Sequence, residues 1–205
     1  LDIEFNFTGA EVADLTVEGV NYNYLHIDGL PKLNQVGAPA LPARNEIIAM
    51  PRGSTGKIII VEAEYEEYNS FLIHPALMAA TDREGDPEPE FQRDEEIYST
   101  NDFFPKNVVE IVNVGLSRGT PLAKTQIRPV QFNPVTKTVR VYKKIKFRIV
   151  FEGGESTFKY IAKENTIHYT NLLKLNVLNS SSIPNGMPID NTDNKSGAKN
   201  YIIIT

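Results

Sequence analysis

The residues with the greatest potential for chemistry are three histidines and one dense run of carboxylates. His26, His74 and His168 are far apart in the chain, and none belongs to an HExxH or HxH pattern of the kind that binds zinc. The chain has no cysteine, so it has neither a thiol nucleophile nor a disulfide. It also lacks a Gly-x-Ser-x-Gly turn, a phosphate-binding loop and a GxGxxG motif. We interpret the histidines as structural or surface residues, and the sequence predicts no catalytic residue.

The carboxylates are concentrated between Asp82 and Glu96, in the stretch TDREGDPEPEFQRDEE that begins at Thr81. Their spacing does not match the D-x-[DN]-x-[DN]-G-x5-E pattern of a calcium loop, and two prolines stiffen the run. A solvated acidic loop is therefore favoured over a calcium site, and we expect no metal or other cofactor.

One arginine, Arg83, lies inside this acidic run between Asp82 and Glu84. Taken alone, it is a surface arginine that balances the charge of its neighbours. A second group of cations has a similar interpretation: Arg140, Lys144, Lys146 and Arg148 alternate with apolar residues. Such a row is typical of the solvated side of a strand, although contact with an anionic partner is the alternative.

The elements that position these residues are predicted from a hydrophobic period of two. In KTVRVYKKIKFRIVFEGG the odd-numbered residues Val139 to Phe151 are mostly apolar and the even-numbered ones mostly basic, which predicts a strand with one buried face. Many short runs of this kind, separated by Gly and Pro, predict an all-β fold, an antiparallel β-sandwich. The leucines of NTIHYTNLLKLNVL add one short C-terminal helix.

Bulk composition narrows the function classes. With 205 residues, the chain is large enough for one hydrophobic core. Its net charge of −5 does not favour nucleic-acid binding, which is typical of basic proteins. No apolar run approaches the ~20 residues of a membrane-spanning helix. The start of the chain does not resemble a signal peptide, so we expect that none exists or that it has been removed.

The composition changes after Leu178, and this change predicts the domain organisation. Residues 1–178 form the predicted sandwich, while residues 179–200 are rich in Ser, Asn, Gly and Pro and are predicted to be a flexible linker. Residues 201–205, YIIIT, are predicted to be the first strand of another domain that is cut off here.

Several motifs in the correct order resemble the N-terminal prodomains of gingipain-type cysteine peptidases, the C25 family. They are Gly-x-Pro-x-Leu-Pro at 37–42, Pro-x-Gly-x-Thr at 51–55, DFFP at 102–105 and Pro-x-Gln-Phe-Asn-Pro-Val at 129–135. NYIIIT at the end resembles the opening strand of a caspase-like catalytic domain. The resemblance covers residues 1–178.

This resemblance implies a sandwich-like, jelly-roll-like prodomain that keeps an attached caspase-like peptidase domain latent and assists its folding. In the family a prodomain loop offers a basic residue to the specificity pocket, and counting back from DFFP places Arg83 there. Its neighbours Asp82 and Glu84 would engage cations at the rim of the cleft or repel a competing pocket. Arg93 and Lys57 are weaker substitutes for Arg83. The chain would then be a pro-segment, not an enzyme, of a protein that is secreted or lies at the surface or in the periplasm of a bacterium.

Two further expectations complete the sequence-based picture. Activation requires cleavage of the linker, and Lys195 and Lys199 are its basic residues. The alternatives are a binding module for carbohydrate or a surface protein, and a permanently attached prodomain of a secretion-system peptidase. For the binding module, a stacking platform would come from four tyrosines: Tyr22, Tyr24, Tyr65 and Tyr68.

Overall fold

The computed structural model describes residues 1–78, 90–154 and 166–185. Within them the chain forms nine strands: β1 (Asp2–Asn6), β2 (Glu11–Val17), β3 (Val20–His26), β4 (Arg44–Ala49), β5 (Thr55–Tyr68), β6 (Val109–Ser117), β7 (Thr120–Ile127), β8 (Val130–Asn133) and β9 (Thr138–Glu152). The helices are α1 (Glu95–Ser99), α2 (Ile167–Asn176) and a 3-10 turn (Ser180–Ser182). All pairings between these strands are antiparallel.

The long strand β9 organises the first sheet. It pairs with β5 along one side, and with β1 and β8 along the other. The second sheet has the order β4-β7-β6, and the hairpin β2-β3 forms a third, two-stranded sheet. The hairpin turns at Glu18 and Gly19, whose φ angles of 49° and 79° are the left-handed pair that a tight two-residue turn requires.

The first two sheets pack face to face and enclose the main core. Its buried side chains come from both sheets: Ile3, Phe5, Ile145, Phe147 and Ile149 from the first, and Ile48, Val109, Ala123 and Ile127 from the second. Burial of each large side chain stabilises the fold by about 1.5–3 kcal/mol. The predicted antiparallel β-sandwich is therefore confirmed.

A second core joins the β2-β3 hairpin to the end of the first sheet. Leu25 of β3 and Ile27, just beyond its end, pack there with Phe132 of β8 and Val139 of β9. The odd-numbered apolar residues of β9 thus divide between the two cores. The cause is a register shift between β9 and β5. Glu64 pairs with Lys144 and Tyr65 with Tyr142, so that Lys143 is a bulged residue with no opposite residue in β5.

The C-terminal helix adds a third layer, which confirms the predicted short helix. Neighbouring residues of a strand point to opposite faces, so Ile48 faces the sandwich core while Ala49 faces α2. Leu173 and Val177 pack against Ala49. Beyond α2, the backbone N–H of Leu178 donates to Ile47 O at 2.8 Å and extends the sheet along the outer side of β4.

The packed part of the chain extends past Leu178, where the linker was predicted to begin. Asn179 is buried, its Oδ1 accepts from Ala49 N at 2.8 Å, and its Nδ2 donates to Ala49 O at 2.9 Å. Ile183 is buried against the same cluster. In the described residues, therefore, the fold includes the first turn of the predicted linker. The rest of that linker and the predicted strand 201–205 lie outside the described residues.

Candidate functional site

The predicted inhibitory loop, with Asp82, Arg83 and Glu84, lies outside the described residues, as do Lys195 and Lys199. The structure does describe the two chain segments that lead into and out of residues 79–89. We call them the entry stem, Ile73–Met78, and the exit stem, Glu90–Asp94. The two stems are bridged by Gly37, and we call the stems and Gly37 together the loop frame. The geometry of this frame decides how firmly the two ends of the loop are held.

Gly37 joins the two stems through its own backbone. Its N–H donates to Ala76 O of the entry stem at 2.8 Å, and its carbonyl accepts from Asp94 N of the exit stem at 2.9 Å. Gly37 has a φ of 82°, a conformation that side-chain-bearing residues disfavour. A Cβ at this position would lie 3.0 Å from Asp94 N. Glycine is therefore required here for both its backbone angle and its lack of a side chain.

The entry stem is held on both sides by backbone hydrogen bonds. His74 N donates to Asn23 O of β3 at 3.0 Å, and His74 O accepts from Ala40 N at 2.9 Å. Ala76 N donates to Ala38 O at 2.7 Å. The Asn23 side chain also accepts from Leu72 N at 2.8 Å. The stem is consequently built into the fold as far as Ala76, and Leu77 and Met78 are exposed.

The exit stem leads directly into the short helix α1, which was not predicted from the sequence. Asp94 caps this helix, and its carboxylate accepts from Glu96 N at 3.1 Å and Ile97 N at 3.2 Å. One turn further on, the buried hydroxyl of Tyr98 donates to Ile73 O at 2.6 Å. This bond connects the exit side directly to the start of the entry stem. Burial raises the pKa of Tyr98, which keeps the phenol protonated and able to donate.

Aromatic packing joins the two stems to β3. The His74 ring lies with its centroid 5.5 Å from that of Tyr22 and 5.6 Å from that of Phe91, in edge-to-face arrangements. Burial lowers the pKa of His74, and the nearby Lys32 ammonium lowers it further. The neutral imidazole is the form that suits this site. Of the three histidines, only His74 is buried, whereas His26 and His168 are exposed.

Lys32 is the second titratable group beside the frame. Its Nζ is shielded from solvent, has no hydrogen-bond partner among the described residues, and lies over the Tyr24 ring. Burial lowers the pKa of Lys32 to about 8. A proton on His74 would therefore place a second cation close to an ammonium that no carboxylate of the described chain neutralises.

Each of the four tyrosines considered for a stacking platform has a contact within the chain, while Tyr24, Tyr65 and Tyr68 remain 41–46% exposed. Tyr22 is only 3% exposed, inside the frame. The Lys32 ammonium lies over the Tyr24 ring. Tyr65 packs against Tyr142 and has Arg140 over its ring, and the Tyr68 hydroxyl donates to Glu66. Burial therefore removes Tyr22 from such a platform, and the carbohydrate-binding alternative stays a prediction.

The other predicted cations have local partners. Arg93 donates twice to Glu95, at 2.7 and 2.9 Å, and Lys57 lies 3.9 Å from Glu152. The basic row of β9 is paired with carboxylates of neighbouring strands: Arg140 with Glu67, Lys144 with Glu62, Lys146 with Glu4 and Arg148 with Asp2. These pairs support the interpretation of the row as a solvated strand face. Within residues 1–78, 90–154 and 166–185, no group of three or more His, Asp or Glu side chains is arranged to hold a metal ion.

The described fold and site define a class of protein: a β-sandwich that frames one loop and places no catalytic constellation among its described residues. Comparison with known proteins identifies the family. The C25 propeptide family profile (Propeptide_C25) matches residues 2–176. The chain therefore belongs to the C25 propeptide family. Membership of this family makes the chain a pro-segment.

Individual relatives agree with this assignment. Lys-gingipain HG66 of Porphyromonas gingivalis is 25% identical over 162 residues, which cover 75% of this chain and 9% of that protein. Gingipain R1 of the same organism is 29% identical over 134 residues, which cover 65% of this chain and 13% of that protein. The chain thus spans about a tenth of the length of these curated relatives.

Two solved structures share the fold. The complex of Porphyromonas gingivalis RgpB pro- and mature domains matches with a TM-score of 0.73 at 18% identity, over 87% of this chain and 92% of that one. A structure of gingipain K that concerns its zymogenic latency matches with a TM-score of 0.59 at 23% identity, over 74% of this chain and 85% of that one.

No described helix is long and apolar enough to span a membrane.

Proposed function

We propose that this chain is the inhibitory and folding-assisting pro-segment of a secreted gingipain-like cysteine peptidase, with the caspase-like catalytic domain of the same precursor as its partner. The observation that carries the proposal is the loop frame, in which Gly37 bonds to both stems of the segment that holds Arg83. The RgpB relative was solved as a complex of pro- and mature domains, and the gingipain K structure concerns latency.

The frame matters because an inhibitor loses affinity when binding must first order its loop. Each immobilised, rotamer-rich side chain costs about 0.5–1.5 kcal/mol on binding. Stems that are fixed before the encounter reduce this cost for the segment between them. Pro87 and Pro89 lie in the same segment and restrict its backbone further.

Arg83 is the residue that we place in the specificity pocket of the peptidase. A guanidinium is charged at all relevant pH values, and its planar fork forms paired hydrogen bonds with a carboxylate. Asp82 and Glu84 would contact cations at the rim of the cleft. The inhibitor escapes cleavage if the neighbouring peptide bond is held away from the nucleophile, because attack requires near-attack geometry.

Release of the peptidase follows cleavage of the linker beyond the buried residues Asn179 and Ile183. Lys195 and Lys199 are the proposed cleavage sites, with Gly197 between them. We assign the precursor to the secreted or surface-exposed proteins of a bacterium, because it is similar to gingipains of Porphyromonas gingivalis. No cofactor is part of the proposed mechanism.

The residue assignment is tested by adding the chain in trans to the isolated peptidase domain. Arg83→Ala is expected to weaken inhibition by about a hundredfold, since loss of a charged partner in a desolvated pocket costs about 2–5 kcal/mol. Arg93→Ala is the matched control, because Arg93 is bound to Glu95, the first residue of α1. Equal inhibition by the wild-type and Arg83→Ala chains would refute the role of Arg83. Failure of the wild-type chain to inhibit would refute the proposed function as a whole.

A further inference from the structure

The loop frame buries one imidazole, that of His74, at the contact between its two stems. The His74 ring belongs to the entry stem, and the residue is only 6% exposed. Its backbone is fixed on both sides, because His74 N donates to Asn23 O and His74 O accepts from Ala40 N. The entry stem therefore does not turn to bring the ring to solvent. The ring becomes hydrated only when a neighbouring part of the frame moves away.

The neighbouring part that covers the ring is the exit stem. The Phe91 ring of this stem lies against the rings of His74 and Tyr22, with its centroid 5.6 Å from each. Three residues further on, Asp94 N donates to Gly37 O. Separation of the exit stem from Gly37 would withdraw Phe91 and expose the imidazole to water. Opening of the frame and hydration of His74 are therefore the same event.

Burial and one lysine oppose a proton on His74 while the frame is closed. The imidazole is hydrogen-bonded to the backbone of Pro75, and the acceptor is the carbonyl oxygen because proline has no N–H. This bond favours the protonated ring, but burial has the larger and opposite effect on the pKa of His74. Lys32, in the segment before β4, repels a second positive charge, and its Nζ is shielded from solvent.

The remaining charged groups beside the stems do not offset this repulsion. Those of the exit stem and α1 are Glu90, Arg93, Asp94, Glu95 and Glu96. Arg93 and Glu95 pair with each other, and the Asp94 carboxylate accepts from two backbone N–H groups of α1. Glu90 and Glu96 are exposed. No carboxylate of the described residues contributes to the shifted pKa of His74. The closed frame is thus built around a neutral imidazole.

We propose that His74 makes the loop frame a pH-dependent switch of latency. In mild acid the imidazole takes up a proton, the exit stem separates from Gly37, and the segment between the stems loses its fixed ends. We call this state the open frame. The effect on the peptidase rests on the proposed function, because it requires that segment to occupy the cleft. The opening itself is a property of this chain alone.

The direction and the size of the effect follow from proton linkage. A hydrated imidazole in the open frame has the ordinary pKa of about 6.5, whereas the closed frame holds the pKa of His74 lower. Below about pH 6.5 the open frame therefore binds more protons than the closed one, and acid favours opening. Between pH 7.5 and 5.5 the equilibrium constant for opening should rise by at most about tenfold.

Opening of the frame is measured by amide exchange at Asp94, corrected for the intrinsic pH dependence of exchange. The opening constant is expected to rise in acid for the wild-type chain. It should stay constant for His74→Phe, which keeps an aromatic ring but takes up no proton. Lys32→Met removes the repelling ammonium and keeps an apolar side chain, so the rise should be smaller. Lys57→Met, at an exposed lysine 3.9 Å from Glu152, is the matched control and should behave as the wild type.

Three results of this experiment would overturn the proposal. The first is an equal rise in the wild-type and His74→Phe chains. The second is an equal change in the Lys32→Met and Lys57→Met chains. The third is exchange at Asp94 that is as slow as at Phe132, whose N–H donates to Phe104 O inside the fold, because the frame would then open only when the whole chain unfolds.

The effect on latency is measured as the apparent inhibition constant in trans at pH 7.5 and 5.5. Gly37→Ala is compared with the double variant Gly37→Ala/His74→Phe, because the first substitution populates the open frame and makes the effect of pH visible. The ratio of the two constants cancels the pH dependence of the peptidase itself. Between pH 7.5 and 5.5 the single variant should weaken relative to the double variant by up to about tenfold.

The two experiments separate the switch from the proposed function. A ratio that is the same at both pH values, with wild-type inhibition intact, would refute the switch of latency and leave the proposed function standing. A wild-type chain that does not inhibit at either pH would refute the proposed function and the effect on latency together. Amide exchange would still decide whether a proton on His74 opens the frame.

Discussion

Substitution of Gly37 by alanine is the sharpest perturbation of the loop frame. Left-handed backbone costs a residue with a Cβ about 1–2 kcal/mol. The added Cβ, 3.0 Å from Asp94 N, also pushes against the exit stem and weakens the Asp94 N to Gly37 O bond, which is worth about 0.5–1.5 kcal/mol. The sum is about 1.5–3.5 kcal/mol. Separation of the two stems relieves both the backbone strain at residue 37 and the close contact with Asp94 N. The free chain would therefore populate a state in which the stems are apart, the open frame.

The expected consequence is a loss of affinity for the peptidase domain. If only the closed frame binds, the apparent inhibition constant rises by the factor by which that state is depopulated, which is at most about tenfold to 300-fold. Inhibition titrations in trans measure the constant, and amide exchange at Asp94 reports the opening of the frame. Inhibition of unchanged strength, together with unchanged exchange at Asp94, would show that the frame does not hold the loop.

Gly19→Ala supplies the matched control for backbone strain. Gly19 has a φ of 79°, close to that of Gly37, but a Cβ there meets nothing within 4 Å. It lies in the β2-β3 turn, away from the two stems. We expect Gly19→Ala to lower the stability of the chain and to leave the inhibition constant unchanged. An equal loss of inhibition from both variants would mean that general destabilisation, not the frame, explains the Gly37 result.

Three further predictions concern stability, measured by urea unfolding. Burial holds the pKa of His74 below the value of about 6.5 that it has when unfolded, so the unfolded chain binds more protons between these two pKa values. The stability that neutral His74 contributes is therefore complete above about pH 6.5 and is lost as the pH falls below it; His74→Phe should reduce this pH dependence. Tyr98→Phe leaves the buried carbonyl of Ile73 without its donor and should cost about 1–3 kcal/mol. Asn179→Ala removes two buried hydrogen bonds to β4 and should cost about 2–4 kcal/mol.

Each of these predictions has an outcome that contradicts it. For the pH dependence, the exposed His26→Gln variant should behave as the wild type, and an unaltered slope in His74→Phe would exclude His74 as the source. A Tyr98→Phe chain as stable as the wild type would show that water replaces the lost donor. For Asn179, equal stability of chains that end at residues 178 and 185 would place the boundary of the fold at Leu178 after all.

The strands and the C-terminal helix were predictable because their signals are local. The alternation in β9 and the leucine spacing in α2 are visible in consecutive residues. The short helix α1 was missed because five residues carry little periodicity, although Asp94 followed by two acidic residues is an N-cap signal. The division of β9 between two cores was missed because the bulge at Lys143 depends on pairing with β5.

The loop frame was beyond prediction from the sequence for a related reason. Gly37 was identified as part of a family-like motif, but its bonds to Ala76 and Asp94 join residues that are 39 and 57 positions away. The burial of His74 against Tyr22 and Phe91 likewise joins three separate segments. Composition and residue spacing do not indicate which distant residues come into contact. The acidic run with Arg83 was visible in the sequence, whereas the structure that holds its two ends was not.

The central claim is that this chain inhibits the peptidase by occupying its active-site cleft. The most direct measurement is a steady-state titration of the isolated peptidase domain with the wild-type chain at several concentrations of a small chromogenic substrate. Occupation of the cleft predicts inhibition that is overcome by substrate, with an unchanged maximal rate. Inhibition that is independent of substrate concentration would contradict occupation of the cleft, and a complete absence of inhibition would contradict the inhibitory role itself.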